Sequence, residues 1–265
     1  MTSTEGQRRY ATILVARDGG VTTIVLNVPE RRNAIGPQMV NELLYALDGV
    51  AQDAEQRVLV VRGAGGSFCA GGDLKQMSGD SDTTGLPPRG DYVDLLLAVQ
   101  RFDKPILAQV EGYAMGGGLG LVAAAHLALG STTAVLGTPE IRRGLFPMMI
   151  LSVLRPIVPA RKLMQMALLG EKLDAQEALA AGLLTEVVAE VELAPRVAEW
   201  ANKLAALSPV ALRMGLQAMR ETRQMPTEEA LPDLQQRLFA LLGTEDAQEG
   251  LRAFFEKREP VFKGR

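Results

Sequence analysis

The chain has little of the chemistry on which metal centres and disulfide frameworks depend. Its 265 residues include one cysteine, Cys69, and one histidine, His126. A single cysteine cannot form an internal disulfide, and this pair of residues cannot supply a cysteine or histidine metal cluster. The sequence therefore indicates a protein of a reducing compartment, and we expect no metal site. A lone histidine is more often structural than catalytic, and Cys69 is expected to be a small buried residue.

Excess charge and long hydrophobic runs are also lacking. The formal net charge is -3 and the isoelectric point is about 5.4, which gives no reason to expect a nucleic-acid partner. No uninterrupted apolar stretch is long enough to span a bilayer. The first residues have no apolar run behind them and do not resemble a signal peptide. We therefore expect a cytoplasmic protein that binds neither nucleic acid nor a membrane.

The chain does have enough apolar residues, 47%, to form a sizeable core. Strand-like runs alternate with helical periodicities over residues 1–192, and the pattern over residues 193–265 is helical throughout. Alternating strands and helices predict right-handed crossovers and mainly parallel sheets. The residues alone thus predict an α/β core followed by a helical C-terminal part.

Two glycine-rich segments each follow a strand-like run and precede a predicted helix. The first is S-F-C-A-G-G-D-L at residues 67–74, and the second is E-G-Y-A-M-G-G-G-L-G at residues 111–120. Glycine permits close backbone approach, and amides at a helix start are unpaired donors with a partial positive charge. Two such turns lying side by side can direct two N–H groups at one carbonyl oxygen. This is the physical basis of an oxyanion hole.

These segments also carry a family resemblance. Residues 68–74 match the pattern F-x-A-G-x-D followed by Leu or Ile, and residues 112–118 match G-x-A-x-G-G-G. Further matches, in order along the chain, are P-E-R-R-N-A at 29–34, L-G-T-P-E-I at 136–141, G-L-F-P at 144–147 and F-E-K-R-E-P at 255–260. The chain resembles the crotonase superfamily, also called the enoyl-CoA hydratase/isomerase family, from about residue 10 to the C terminus.

The resemblance implies an α/β fold, a crotonase-like spiral of ββα turns with a helical C-terminal part. It implies a core over residues 1–192 and a C-terminal domain over 193–265 that packs on trimer neighbours and helps to cover the active site. The expected assembly is a homotrimer or a dimer of trimers. A coenzyme A thioester is expected as the substrate, with no permanently bound cofactor.

The resemblance also implies the catalytic groups. The backbone N–H groups of Gly72 and Gly117 would bind the thioester oxygen, and Glu140 would transfer protons. Burial in an apolar pocket would raise the pKa of Glu140, which suits a general base near neutral pH. The alternative role for Glu140 is structural, since an acidic residue in the first turn of a helix is stabilised by the macrodipole.

Position 120 departs from the family pattern. In the hydratase branch a first glutamate stands three residues after the middle glycine of G-G-G, and here that residue is Gly120. One carboxylate is enough to move a proton between C2 and C4, so the sequence favours double-bond isomerisation over hydration. Hydration would need a neighbouring group to replace the missing acid, and the sequence identifies none. Decarboxylation, or acyl-CoA binding by a non-catalytic homologue, is also compatible with these residues.

Binding residues are implied in the same way. The expected coenzyme A contacts are Arg31, Ala34, Ala70, Lys75 and, from a neighbouring subunit, Lys263.

The substrate pocket is expected to include Met115, Gly120, Arg143, Met148 and Met149. The flexible side chains of Met148 and Met149 would suit an aliphatic chain, although core packing explains them equally well. Arg143 either pairs with a carboxylate on the substrate or lies on the surface or in an oligomer contact.

Overall fold

The computed structural model describes residues 10–73 and 85–265. Within these residues the larger sheet has six strands in the order β1-β2-β3-β4-β6-β9. They are β1 (Ile13–Asp18), β2 (Val21–Leu26), β3 (Val58–Gly63), β4 (Ile106–Val110), β6 (Leu127–Ser131) and β9 (Glu186–Val188). β1 and β2 form an antiparallel hairpin, and every later pair in this sheet is parallel. The predicted parallel arrangement is therefore confirmed.

A smaller sheet holds the second glycine-rich segment. Its strands are β5 (Tyr113–Met115), β7 (Val135–Gly137) and β8 (Lys172–Leu173). β5 pairs with β7 in parallel, and β7 pairs with β8 in antiparallel orientation. The sequence did not indicate β5, which lies within the second glycine-rich segment, or β8, whose two residues are too few to show an alternating pattern.

Helices connect the strands and cover the larger sheet. Those before residue 190 are α1 (Pro37–Gln52), α2 (Tyr92–Gln100), α3 (Gly117–Ala124), α4 (Leu151–Leu154), α5 (Ala160–Leu169) and α6 (Ala175–Ala180). Those after it are α7 (Glu190–Ala205), α8 (Pro209–Thr222), α9 (Thr227–Leu242) and α10 (Glu245–Glu256). Two 3₁₀ turns, Pro29–Arg31 and Pro139–Arg143, precede α1 and α4.

The larger sheet is buried on both faces, as parallel sheets usually are. One face packs on α1, α2 and α3 in a core that includes Leu43, Leu59 and Leu95. The other packs on α7, where Leu193 and Val197 contact the sheet. The predicted domain boundary after residue 192 falls in the first turn of α7, and the division into two domains stays a prediction.

The remaining helices carry much exposed apolar surface. No residue of α9 is buried, and Phe254 and Phe255 in α10 are 77% and 78% exposed. Asp246 anchors the C-terminal tail, since its carboxylate accepts bonds from the Ser208 hydroxyl at 2.8 Å and the Lys263 amide at 2.7 Å. Among the described residues, no helix has both the length and the apolar character needed to cross a membrane.

Candidate active site

The two glycine-rich segments lie side by side. The amide of Cys69 donates to the carbonyl of Tyr113 at 2.8 Å, and the amide of Met115 donates to the carbonyl of Cys69 at 2.9 Å. A Cβ on Gly118 would lie 2.6 Å from the Cβ of Cys69, so a residue with a side chain does not fit there. Glycine therefore permits the start of α3 to approach the first segment this closely.

The amide of Gly72 faces away from its backbone neighbour. The amide of Ile35 donates to Gly71 at 2.8 Å, and the carbonyl of Ile35 accepts from Asp73 at 2.9 Å. In parallel pairing these two bonds flank the bridged residue, whose own N–H and C=O point to the opposite side. Gly72 lines a cavity on that side, so its N–H is available to a ligand there.

The amide of Gly117 is available for a different reason. Gly117 is the first residue of α3, where the N–H has no acceptor within the helix. Gly116 before it has a φ of 47°, and its amide donates to the carbonyl of Gly137 at 3.0 Å. Gly117 lines the same cavity as Gly72. Both amides therefore adjoin one cavity, as two donors to a common ligand oxygen must.

The carboxylate of Glu140 lies in the same cavity, at the start of the second 3₁₀ turn. Its Oε2 is buried and has no hydrogen-bond partner among the described residues. Burial raises the pKa of Glu140 above its ordinary value, and its own backbone amide and the charge of Arg143 offset part of that increase. A carboxylate with one unpartnered oxygen and a raised pKa is suited to accept and return a proton.

Most of the remaining cavity wall is apolar. The cavity has a volume of about 480 Å³. The apolar side chains that line it are those of Ile35, Pro37, Val40, Leu145, Phe146, Pro147, Met148, Met149 and Ile150. Met148 and Met149 are among these lining residues and are 69% and 47% exposed, and their contact with a substrate stays a prediction. Asp91 and Glu140 are its only acids among the described residues, and no lysine, arginine or histidine among them lines it.

Tyr92 is a polar lining residue that the sequence analysis missed. It is the first residue of α2, and the Asp91 side chain caps that helix by accepting from the amides of Val93 and Asp94. The Tyr92 hydroxyl donates to the carbonyl of Gly117 at 2.5 Å. Burial raises its pKa above the ordinary value, with smaller contributions from Cys69 and Glu140, so the hydroxyl stays protonated. No sequence pattern relates Tyr92 to Gly117, because the contact depends on how α2 packs on α3.

Three of the predicted coenzyme A contacts surround the first glycine-rich segment. Arg31 forms an ion pair with Asp73 at 2.6 Å, directly beside Gly72. The amide of Ala70 donates to the carbonyl of Arg32 at 2.9 Å, which brings Ala70 close to the loop that holds Arg31 and Ala34.

Asn33 holds this loop in place, a role that sequence reasoning did not identify. Its side-chain amide donates to the carbonyls of Ala64 and Ser67 at 2.8 and 2.7 Å, and its side-chain carbonyl accepts from the amide of Val28 at 2.9 Å. Asn33 also has a φ of 56°, in a region that asparagine tolerates better than most residues. The buried amide thus ties the loop to the first segment.

The other predicted binding residues do not meet in this cavity. Lys75 lies outside the described residues. Lys263 lines a different cavity of about 670 Å³, with Arg57 and Arg213, so its predicted reach into a neighbouring subunit stays a prediction.

Three residues expected in the pocket do not line it within this chain. Met115 is buried at 5% exposure, Gly120 is buried behind Tyr92, and Arg143 is exposed outside the wall. Met115 lies on strand β5, where successive side chains point to opposite faces of the sheet, and its own side chain is buried away from the cavity wall.

Comparisons with known proteins agree on one family. The profile of the family described as "Enoyl-CoA hydratase/isomerase" matches residues 16–265. The chain is 35% identical over 260 residues to an enoyl-CoA hydratase of Mycobacterium tuberculosis, covering 95% of this chain and 96% of that protein. It is 32% identical over 259 residues to the 2,3-dehydroadipyl-CoA hydratase of Escherichia coli, covering 96% and 99%.

Solved structures are similar over the same extent. The crystal structure of an enoyl-CoA hydratase from Bacillus anthracis has a TM-score of 0.88 at 28% identity, covering 96% of this chain and 100% of that one. The enoyl-CoA hydratase structure from Mycobacterium smegmatis has a TM-score of 0.87 at 30% identity, covering 95% and 99%.

Proposed function

Because the chain belongs to the enoyl-CoA hydratase/isomerase family, the crotonase superfamily, we propose that it stabilises a thioester enolate and transfers protons with one glutamate. It is an enzyme of that family, which acts on acyl-CoA thioesters. It has the family's α/β fold of two mixed sheets and C-terminal helices. The observation that carries the proposal is that Gly72, Gly117 and Glu140 line one cavity.

The chemistry follows from the charge that develops on the thioester oxygen. The N–H groups of Gly72 and Gly117 donate to this oxygen, and each such donor contributes roughly 3–4 kcal/mol in enzymes where one has been removed. The Glu140 carboxylate takes a proton from C2 of a 3-enoyl-CoA, and the electron pair moves into the enolate. Glu140 then returns the proton to C4, which leaves the double bond between C2 and C3.

Hydration passes through the same enolate. A water oxygen bonds to C3 of a 2-enoyl-CoA, its proton goes to Glu140, and Glu140 returns that proton to C2. The single carboxylate favours isomerisation, whereas the names of the similar proteins favour hydration. Both reactions require the same three groups. Decarboxylation, or acyl-CoA binding without turnover, would be the outcome if neither reaction is detected.

We propose that the coenzyme A moiety lies along the loop of Arg31 and Ala34 and the segment of Ala70. This surface adjoins Gly72, so the thioester of a coenzyme A bound there would lie next to the proposed oxyanion hole. Lys75 and the Lys263 of a neighbouring subunit complete the proposed contacts with the phosphates.

The acyl group is proposed to be uncharged. The wall beyond Glu140 is built from apolar side chains, and among the described residues no cation lines it to pair with a second carboxylate. A dehydroadipyl group, named for the Escherichia coli relative, carries such a carboxylate. Leu145, Met148 and Met149 instead suit an aliphatic chain.

Self-association is part of the same proposal. α9 and α10 expose large apolar side chains, including Leu238, Phe239, Phe254 and Phe255. Exposed apolar surface on this scale is typical of a subunit interface. We expect a homotrimer or a dimer of trimers.

The test measures both reactions in D₂O with wild-type protein and the E140Q variant. Medium-length trans-2- and trans-3-enoyl-CoA are supplied separately, and mass spectrometry follows deuterium, added water and double-bond position. Wild-type protein is expected to incorporate deuterium at C2 or C4, and E140Q is expected to lose at least about 100-fold of this activity. The matched control is E192Q, which makes the same substitution at an exposed glutamate of α7. A folded E140Q variant with unchanged turnover would contradict the proposal.

A further inference from the structure

The space beside Gly120 is already occupied. A Cβ built on Gly120 would lie 2.3 Å from the Tyr92 hydroxyl oxygen and 2.5 Å from the Cγ2 of Ile150. Any larger residue at position 120 therefore collides with the tyrosine. Glycine at position 120 leaves room for the Tyr92 hydroxyl, which lies where the side chain of a larger residue 120 would begin.

Tyr92 is held firmly in that space. Its ring packs beside Gly117, 3.4 Å from the position that a Cβ there would take, which is ordinary van der Waals contact. The helix start that carries Tyr92 is fixed by the reciprocal cap, in which the Asp94 carboxylate accepts from the Asp91 amide at 2.9 Å. The hydroxyl is thus placed by packing and by its 2.5 Å bond to Gly117.

Tyr92 and Glu140 flank consecutive residues at the start of α3. The tyrosine hydroxyl lies 3.5 Å from the Cβ position of Gly117, and Glu140 Oε1 lies 2.8 Å from the Cβ position of Gly116. Both side chains line the 480 Å³ cavity. While its proton is donated to Gly117, the hydroxyl oxygen keeps lone pairs that can accept a hydrogen bond. A water between the two groups can donate one proton to each of them.

We propose that the Tyr92 hydroxyl replaces the absent carboxylate at position 120 and holds the reacting water opposite Glu140. The proposal rests on the proposed enolate chemistry and adds the group that makes hydration possible with one glutamate. The water donates one hydrogen bond to Tyr92 and the other to Glu140, which leaves an oxygen lone pair to attack C3. The attacking water gives its proton to Glu140, which delivers it to C2 as the enolate collapses.

Tyr92 neither gains nor loses a proton in this cycle. Its raised pKa agrees with that role, because a phenol that keeps its proton can hold the bond to Gly117 throughout. Isomerisation needs no water, so it does not need the hydroxyl. Loss of the Tyr92 hydroxyl should therefore impair hydration more than isomerisation at the same site.

The test compares hydration of trans-2-enoyl-CoA with isomerisation of trans-3-enoyl-CoA in wild-type protein and the Y92F variant. Loss of one oriented hydrogen bond is expected to lower the kcat of hydration by at least about tenfold. Isomerisation and deuterium exchange at C2 should fall much less than hydration, because neither needs the ordered water, although the lost bond to Gly117 affects all three. Y45F is the matched control, because it removes a hydroxyl that donates to the carbonyl of Pro87 at 3.1 Å, away from the cavity wall.

Equal losses of both reactions in Y92F would mean that the tyrosine only supports the fold, and would overturn the proposal. Unchanged hydration in a folded Y92F variant would overturn it as well. Wild-type protein that isomerises without hydrating would overturn it while leaving the proposed function intact. Wild-type protein that catalyses neither reaction would overturn both.

Two further variants keep the test decisive if Y92F is unstable. G120A retains the tyrosine but displaces its hydroxyl, and it should also lose hydration selectively. The triple variant Y92F/I150A/G120E opens the occupied space and supplies a carboxylate. The triple variant is expected to hydrate 2-enoyl-CoA faster than Y92F. Unchanged hydration in G120A would contradict the proposal.

Discussion

The Glu140 carboxylate and Gly116 occupy adjoining space, with Oε1 2.8 Å from the position that a Cβ on Gly116 would take. Gly116 also has a φ of 47°, which side chains rarely adopt. One glycine therefore serves both the turn into α3 and the room for the proposed base.

We predict that G116A lowers kcat by at least about tenfold, because the new methyl group displaces the carboxylate from the reacting carbon. Enoyl-CoA turnover and circular dichroism together measure this. The control is G19A, at a φ of 53° in the β1–β2 hairpin, where a Cβ would meet no atom within 4 Å. This variant also places a side chain at a positive φ, and its activity should be unchanged. Equal activity in the two variants would argue against the carboxylate's role.

The raised pKa of Glu140 predicts a pH dependence. The base must be ionised to accept a proton, so kcat/KM should rise with pH through a value above the ordinary glutamate range of about 4.3. It should then be flat until another group titrates. Initial rates between pH 4 and 8 measure this limb, and it should be absent from the residual activity of E140Q. A midpoint at or below the ordinary value would contradict the burial argument.

The same shift has a consequence for stability. A glutamate whose folded-state pKa is raised binds more protons folded than unfolded, so its stabilising effect is present at low pH and is lost as pH rises through the folded pKa. E140Q should therefore have a higher Tm than wild-type protein at pH 7, and the difference should shrink toward pH 4. A lower Tm for E140Q at pH 7 would mean that the ionised carboxylate stabilises the fold.

Elements with an apolar run or a helical periodicity of their own could be predicted from the sequence. A continuous apolar run marks β4 (Ile106–Val110) in the sequence, and helical periodicity marks α1 (Pro37–Gln52). The strand Lys172–Leu173 gave no signal, since two residues pair only because β7 lies beside them.

The site residues also fall into those that a sequence pattern specifies and those that depend on packing. Gly72, Gly117 and Glu140 are backbone or motif positions that a pattern can specify, and all three line one cavity. Tyr92 depends on how α2 packs on α3, which no local pattern encodes. For Arg143 the sequence left two positions open, in the pocket or on the surface, and the residue is exposed in the 3₁₀ turn and does not line the cavity.

His126 provides a second pH-dependent contact, remote from the cavity wall. The amide of Ile106 donates to His126 Nδ1 at 3.0 Å, which requires this nitrogen to be unprotonated. Burial, aided by the charge of Arg220, lowers the pKa of His126 to about 4. The ring is therefore neutral in the folded protein at pH 7 and acts as a structural hydrogen-bond acceptor, consistent with the expectation for a lone histidine.

The sign of its effect is opposite to that of Glu140. Between pH 6.5 and about 4 the unfolded chain binds a proton at His126 that the folded chain does not, so stability falls as pH falls through this window. We predict that H126Q, whose side-chain oxygen can accept the same bond without titrating, removes roughly 3 kcal/mol of the loss between pH 7 and pH 4. Urea unfolding at both pH values measures it. Equal losses in the two proteins would show that His126 titrates normally in the folded state.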